Sequence, residues 1–242
     1  VISIRNLMNA QYMVKEWLFG KTLSELTEIV TGLGMPRFTA TQIAAWLYKK
    51  GVTEIDQMTN LSLKNRERLA ETFCVGVIPV AGCQESVDGT KKYLFPTLKG
   101  HYIESAYIPD KDRATLCVSS QSGCRMGCRF CMTARQGFSH SLTTGEILNQ
   151  IRTIPESDRL TNVVYMGMGE PLDNLEQVLR SIEILTAPWG YSWSPTRITL
   201  STVGVIPAMR EFLNRCSAHL AVRLHDPIHN ERLAMMPVEG KY

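Results

Sequence analysis

The sequence predicts an α/β protein in which a small helical N-terminal domain (residues 1–75) and a short β-meander (76–112) precede a partial (β/α) barrel (113–242). Three observations predict it. Capping boxes followed by apolar residues at helical spacing fill the first part. Two turn dipeptides, Asp88-Gly89 and Lys99-Gly100, punctuate the second. Strand and helix patterns then alternate to the end, which argues a parallel sheet with helices outside it.

Thr22-Leu23-Ser24-Glu25 is a capping box, and Leu23, Leu26, Val30 and Leu33 share one helical face behind it. Thr39-Ala40-Thr41-Gln42 offers a second box leading into Ile43, Trp46 and Leu47, with Gly51 as the stop. A third helix is expected over residues 62–73. From 77 to 119 the texture is that of strands. Beyond Arg113, strands are expected at 114–119, 162–166, 197–201 and 219–224, and helices at 143–154, 175–185 and 205–213. Thr143-Thr144-Gly145-Glu146 caps the first of these helices. Four such βα units do not close a full barrel. In parallel α/β architectures, functional groups gather at the C-terminal ends of strands. The cysteine loop and residues 167–171, 201–204 and 225–227 all fall at such ends.

Composition narrows the class. Hydrophobic content of 44% and charged content of 20% are ordinary for a globular protein. No apolar run approaches the ~20 residues of a membrane span, and no cleavable leader pattern is visible, so a cytoplasmic protein is expected. The first residue is Val rather than Met, and the chain stops at Lys241-Tyr242 straight after an expected helix start. More natural sequence is expected beyond it. A net charge of +3 does not prove a nucleic-acid partner. Lys111, Arg113, Arg125, Arg129 and Arg135 lie close in sequence around the cysteine motif. That pattern suits phosphate binding and an ordinary basic loop about equally. Lys64, Arg66 and Arg68 read either as a nucleic-acid face or as a solvated surface.

Seven cysteines stand at 74, 83, 117, 124, 128, 131 and 216. Their odd number and uneven spacing do not suggest a disulfide framework. Cys74, Cys83 and Cys216 have no motif around them and read as buried small hydrophobes. Three others fall in Ser122-Gly123-Cys124-Arg125-Met126-Gly127-Cys128-Arg129-Phe130-Cys131, with spacing C-x3-C-x2-C. Thiolates are the soft ligands that iron–sulfur clusters take. Cys124, Cys128 and Cys131 can hold three irons of a [4Fe–4S] cube and leave the fourth open, which lets a metal centre act on a substrate. Two plainer readings compete. A zinc site could add Cys117 or His140, although structural zinc sites usually come as two paired knuckles. The cysteines could also be clustered by chance in a core.

The spacing resembles the signature of the radical S-adenosylmethionine enzymes, and this resemblance makes the barrel one of the radical SAM type. It implies that the open iron chelates S-adenosylmethionine, and that one-electron reduction then cleaves the sulfonium to a 5′-deoxyadenosyl radical. Longer stretches narrow it. Ala114-Thr115-Leu116-Cys117-Val118-Ser119-Ser120-Gln121-Ser122-Gly123-Cys124, Thr133-Ala134-Arg135-Gln136-Gly137-Phe138, Asn162-Val163-Val164-Tyr165-Met166-Gly167-Met168-Gly169-Glu170-Pro171 and Thr199-Leu200-Ser201-Thr202 resemble the radical methyl synthases that methylate adenine C2 in 23S ribosomal RNA and in tRNA. The resemblance covers nearly the whole chain.

It implies the following roles. Phe130 lies near the adenine of the cofactor. Gly169 lets backbone approach, and Glu170 accepts from the methionine ammonium. Ser201, Leu224 and His225 complete the cofactor site. Glu104 stands where the family carries its general base, and a flanking apolar setting would raise its pKa towards the useful range. Cys117 stands where the family forms a disulfide with a methyl-carrying cysteine. The implied partners are 23S rRNA, tRNA and an external one-electron donor such as a flavodoxin-type protein, with no membrane. Each residue also has a plain reading: a solvated Glu, a strand-end Ser or His, a buried Cys.

The sequence also departs from the family. The methyl-carrying cysteine belongs to a segment beyond Tyr242, so incomplete turnover is expected of the chain as it stands. In Val222-Arg223-Leu224-His225-Asp226-Pro227 the family's serine is replaced by Arg223, a bulky cation in the cofactor segment. Val203 stands where the family often has a small polar residue. A C8-adenine rRNA methyltransferase and a non-catalytic, metal-braced RNA-binding module remain as alternatives.

Overall fold

The computed structural model describes residues 15–242. The described chain enters on β1 (Glu16–Trp17), which pairs in parallel with β2 (Phe73–Cys74). Between these strands lie α1 (Leu23–Gly32), α2 (Phe38–Ala44) and α3 (Leu63–Thr72). The first capping box forms: the Thr22 hydroxyl accepts from Glu25 N at 3.3 Å, and the Glu25 carboxylate accepts from Thr22 N at 2.8 Å. The second does not. α2 begins at Phe38 without a side-chain cap, and Thr39 is buried inside the helix. Packing thus outweighs the local capping preference there. The helix runs on through a π-helical turn over Ala45–Lys50 and stops at Gly51, whose φ of 65° is left-handed. Leu26, Val30, Ile43, Leu47 and Leu69 pack into a core continuous with that of the sheet.

Next come β3 (Gly82–Glu85), β4 (Lys91–Pro96), β5 (Tyr102–Asp110) and β6 (Arg113–Cys117), joined as antiparallel neighbours. A small hairpin, β7 (Gln121–Gly123) with β8 (Phe138–Ser141), brackets the cysteine loop and the short α4 (Met132–Arg135). Then follow α5 (Thr144–Arg152), β9 (Asn162–Tyr165), α6 (Leu175–Thr186), β10 (Ile198–Thr202), α7 (Ile206–Arg215), β11 (His219–Val222) and α8 (His229–Met235). The seven-stranded sheet has the order β11-β10-β9-β6-β5-β4-β3. β6, β9, β10 and β11 are mutually parallel, so the meander and the barrel segment share one sheet.

Register sorts the side chains into two faces, because successive residues of a strand point oppositely. Tyr107, Leu116, Val163 and Ile198 stand side by side and are all buried. Tyr165 shares their face, and its hydroxyl meets Ser181 Oγ of α6 at 2.7 Å. Helices therefore cover this side. One residue along, Ala106, Cys117, Val164 and Thr199 form the opposite row, which is only half-buried. No helix among the described residues is long and apolar enough to cross a membrane.

Candidate metal and cofactor site

The cysteine loop leaves and returns through the β7–β8 hairpin. Gly123 has φ 78°, and a Cβ there would stand 1.8 Å from the Gly137 carbonyl oxygen. Only glycine permits this closure. Cys124 N donates to that same carbonyl at 3.1 Å. The loop turns again at Cys128, whose carbonyl accepts from Cys131 N at 3.1 Å, and α4 then starts.

Cys124, Cys128 and Cys131 all line one recess of about 40 Å³. Burial pushes the Cys124 thiol up to about 11, with Cys128, Glu170 and Cys131 adding to it. Burial and the neighbouring Cys131 raise Cys128 as well. Cys124 and Cys128 thus resist ionising on their own, and a polycationic centre offsets that cost. Among the described residues no three His, Cys, Asp or Glu side chains converge on a point that would hold a single ion. An iron–sulfur cube places its thiolates on separate irons, so three thiols spread round one recess suit it. Neither Cys117 nor His140, the fourth zinc ligands considered from the sequence, lines the recess.

Glu170 closes the recess from the loop after β9. Gly167 and Gly169 bring that loop against β6 and β7: a Cβ on Gly167 would meet Val118 O at 2.7 Å, and one on Gly169 (φ 95°) would meet Gln121 Cβ at 2.5 Å. Glu170 is buried, and its carboxylate accepts from Val203 N at 3.1 Å and Leu172 N at 3.2 Å, with the Thr202 hydroxyl beside it. Burial nevertheless raises its pKa. Three donors leave room for a fourth, which suits an incoming ammonium. Ser201, at the end of β10, accepts from Arg223 Nε at 2.8 Å. Arg223 also reaches Met166 O at 3.4 Å, so the cation that replaces the family's serine does lie in the recess. The Phe130 and His225 rings sit 4.6 Å apart on its rim. His225 adopts φ 59°, an uncommon backbone state for a residue with a side chain.

Three of the expected residues lie outside the recess. The Leu224 side chain is exposed. Glu104 is on the open face of the sheet, half-exposed and paired with Lys92 at 3.0 Å. Its setting is mixed: Leu94 stands opposite it on β4, and the open face of the alternating strand β5 leaves the carboxylate half-exposed beside Lys92. Cys117 shares that face, where burial raises its thiol pKa and Arg223 opposes the rise. The basic residues divide too. Arg125 pairs with Asp173 at 2.9 Å and stacks over Phe138, whereas Lys111 and Arg113 sit at the far end of β6. Closeness in sequence misled because a whole strand separates the two groups.

Sequence reasoning missed the polar residues that hold the loops together. Gln121 accepts from Glu170 N at 3.0 Å and donates to Asp173 at 2.7 Å. Asn174 Nδ2 donates to Ser120 O and Leu142 O. Gln121 lies in the stretch before the cysteine motif, but nothing local marks its partners.

The parallel strands of this mixed sheet gather three cysteines and a buried glutamate at their ends, an arrangement that fits the radical S-adenosylmethionine class. Residues 118–227 match the radical SAM superfamily, and residues 17–75 match the ribosomal RNA large subunit methyltransferase N-terminal domain. A crystal structure of a radical SAM methyltransferase from Sphaerobacter thermophilus superposes with a TM-score of 0.84 at 36% identity, over 93% of this chain and 68% of that one. A probable dual-specificity RNA methyltransferase RlmN of Bacteroides thetaiotaomicron is 56% identical over 95% of this chain and 67% of its own length. The dual-specificity RNA methyltransferase RlmN of Geotalea uraniireducens is 42% identical over 91% of this chain and 64% of its own. The chain belongs to the RlmN family of radical SAM RNA methyltransferases, and it spans about two thirds of the length of these relatives.

Proposed function

We propose that the chain carries the cluster-binding and cofactor-binding portion of a methyltransferase acting on C2 of adenine in 23S rRNA and tRNA. The observation that supports this reading best is the recess itself: three thiols, a buried carboxylate and a ring pair at the strand ends of a chain 56% identical to an RlmN relative. Cys124, Cys128 and Cys131 would hold a [4Fe–4S] cluster. With S-adenosylmethionine bound, a cluster held there would supply one-electron reducing chemistry at the sulfonium.

The protein's own part is positioning. Glu170 accepts the ammonium of the cofactor through its free acceptor site, while Val203 N and Leu172 N hold the carboxylate still. Gly169 keeps the backbone close, and Phe130 and His225 border the adenosine. Ser201 and the backbone at Leu224 face it from the end of β10 and the turn after β11. Arg223 shares Ser201 with the cofactor. Glu104 takes a proton from adenine, and it does so from the open face where RNA can reach it. Cys117 supplies a thiol on the same face. Residues 1–75 and 76–112 serve as an RNA-binding part and a connecting meander before the core at 113–242. A flavodoxin-type donor delivers electrons, and the setting is the cytoplasm.

Anaerobic reconstitution tests the reading. The expected preparation is brown and holds about four irons and four sulfides per chain. Reductant should then cleave S-adenosylmethionine to 5′-deoxyadenosine and methionine. One zinc per chain and no colour would refute it.

A further inference from the structure

The segment after β11 folds back beside the recess, against the strand ends and the cysteine loop, and its centre is Arg232. This side chain is 8% exposed. One guanidinium nitrogen donates to Arg223 O at 2.9 Å and to Leu224 O, and another donates to Val203 O. Its Nε pairs with Glu239, which also meets His229 Nδ1 at 3.0 Å. The three carbonyls come from the ends of two neighbouring strands, β10 and β11, and flank Ser201 and His225. The same segment reaches the cysteine loop. Arg129 N donates to Met235 O at 3.0 Å, and Cys128 packs in a small apolar cluster with Val203, Met236 and Val238.

We infer that Arg232 is a positioning residue for cofactor binding: its planar fork sets the spacing of the two strand ends and locks them to the cysteine loop. This deepens the proposed function and rests on it for the identity of the ligand. The physical ground is donor geometry. A guanidinium presents five N–H groups in a rigid plane, so it can bond three carbonyls and a carboxylate at once. A lysine ammonium keeps the charge but is a point donor on a flexible stem. Buried carbonyls left without donors would relax toward water. The left-handed turn at His225, with Asp226 N donating to Leu224 O at 2.7 Å, would lose its restraint first.

The test compares the reconstituted wild type with R232K and R232Q. Equilibrium dialysis measures binding of S-adenosylmethionine, and amide hydrogen exchange follows residues 203–204 and 223–226. The expected result is a Kd weakened about tenfold or more in both variants. Exchange should be faster at those two segments only, with β4 and β5 protected as before and iron and sulfide loading unchanged. Binding within about twofold of wild type with unaltered exchange would overturn the inference. So would loss of protection throughout the sheet, because that would make Arg232 a general stability residue. If the wild type itself binds no S-adenosylmethionine, the proposed cofactor reading fails. The exchange pattern then still decides whether Arg232 holds the two strand ends.

Discussion

Two rows of residues, one position apart, cross the same strands and share almost no chemistry. Tyr107, Leu116, Val163 and Ile198 lie under helices and are buried. Ala106, Cys117, Val164 and Thr199 face the other way and stay half-open, and Glu104, Arg223 and the buried Ser201 share their parity. The comparison teaches that one strand parity carries the stability of this sheet and the other carries its reactive groups. The recess lies where the second parity meets the strand ends.

The largest expected effect is on metal. Cys128→Ala should drop bound iron from about four per chain to background by colorimetric assay, while the unfolding midpoint of the metal-free protein moves little. A fall in that midpoint as large as a core truncation would blur the contrast between the faces. Leu200→Ala on the covered side should cost about 2–5 kcal/mol in urea unfolding, since it leaves a cavity. Its neighbour Thr199→Ala on the open side should stay within about 0.5 kcal/mol. Equal losses would mean that the two parities do not divide the work.

The hairpin framing the recess offers a test by pH. Burial lowers the pKa of His140, so the folded state prefers the neutral ring. A depressed pKa contributes stability above the unfolded value, and that stability is lost as pH falls through the folded one. Wild type should therefore weaken relative to His140→Leu as pH drops below the ordinary histidine range, measured by thermal melts across pH. A constant difference would show that His140 does not titrate on unfolding. The smallest effect is expected from Lys92→Ala. It removes an ion pair with Glu104 that is half-exposed on both sides, worth about 0–1 kcal/mol and weaker in salt.

Much of the fold was legible wherever the signal was short-range. The Thr22 and Thr143 boxes form as read, and Gly89 and Gly100 take the positive φ that their turns need. The box at Thr39 failed because burial of the helix outweighed a local hydrogen bond. The site was legible only where a motif stood in one stretch. Phe130, Glu170, Ser201 and His225 do reach the cysteine recess, but Glu104 and Cys117 lie apart from it on the open face.

By itself the sequence determined the C-x3-C-x2-C spacing, the capping boxes and the βα alternation, because each is settled by contacts within a few residues. Tertiary structure alone decided that Glu170 would be buried against Val203, that Arg113 and Arg125 would part to opposite ends of β6, and that Arg232 would join β10 to β11. The physical reason is register. Which carbonyl meets which donor across a sheet depends on how distant segments pair, and no local window of residues contains that information.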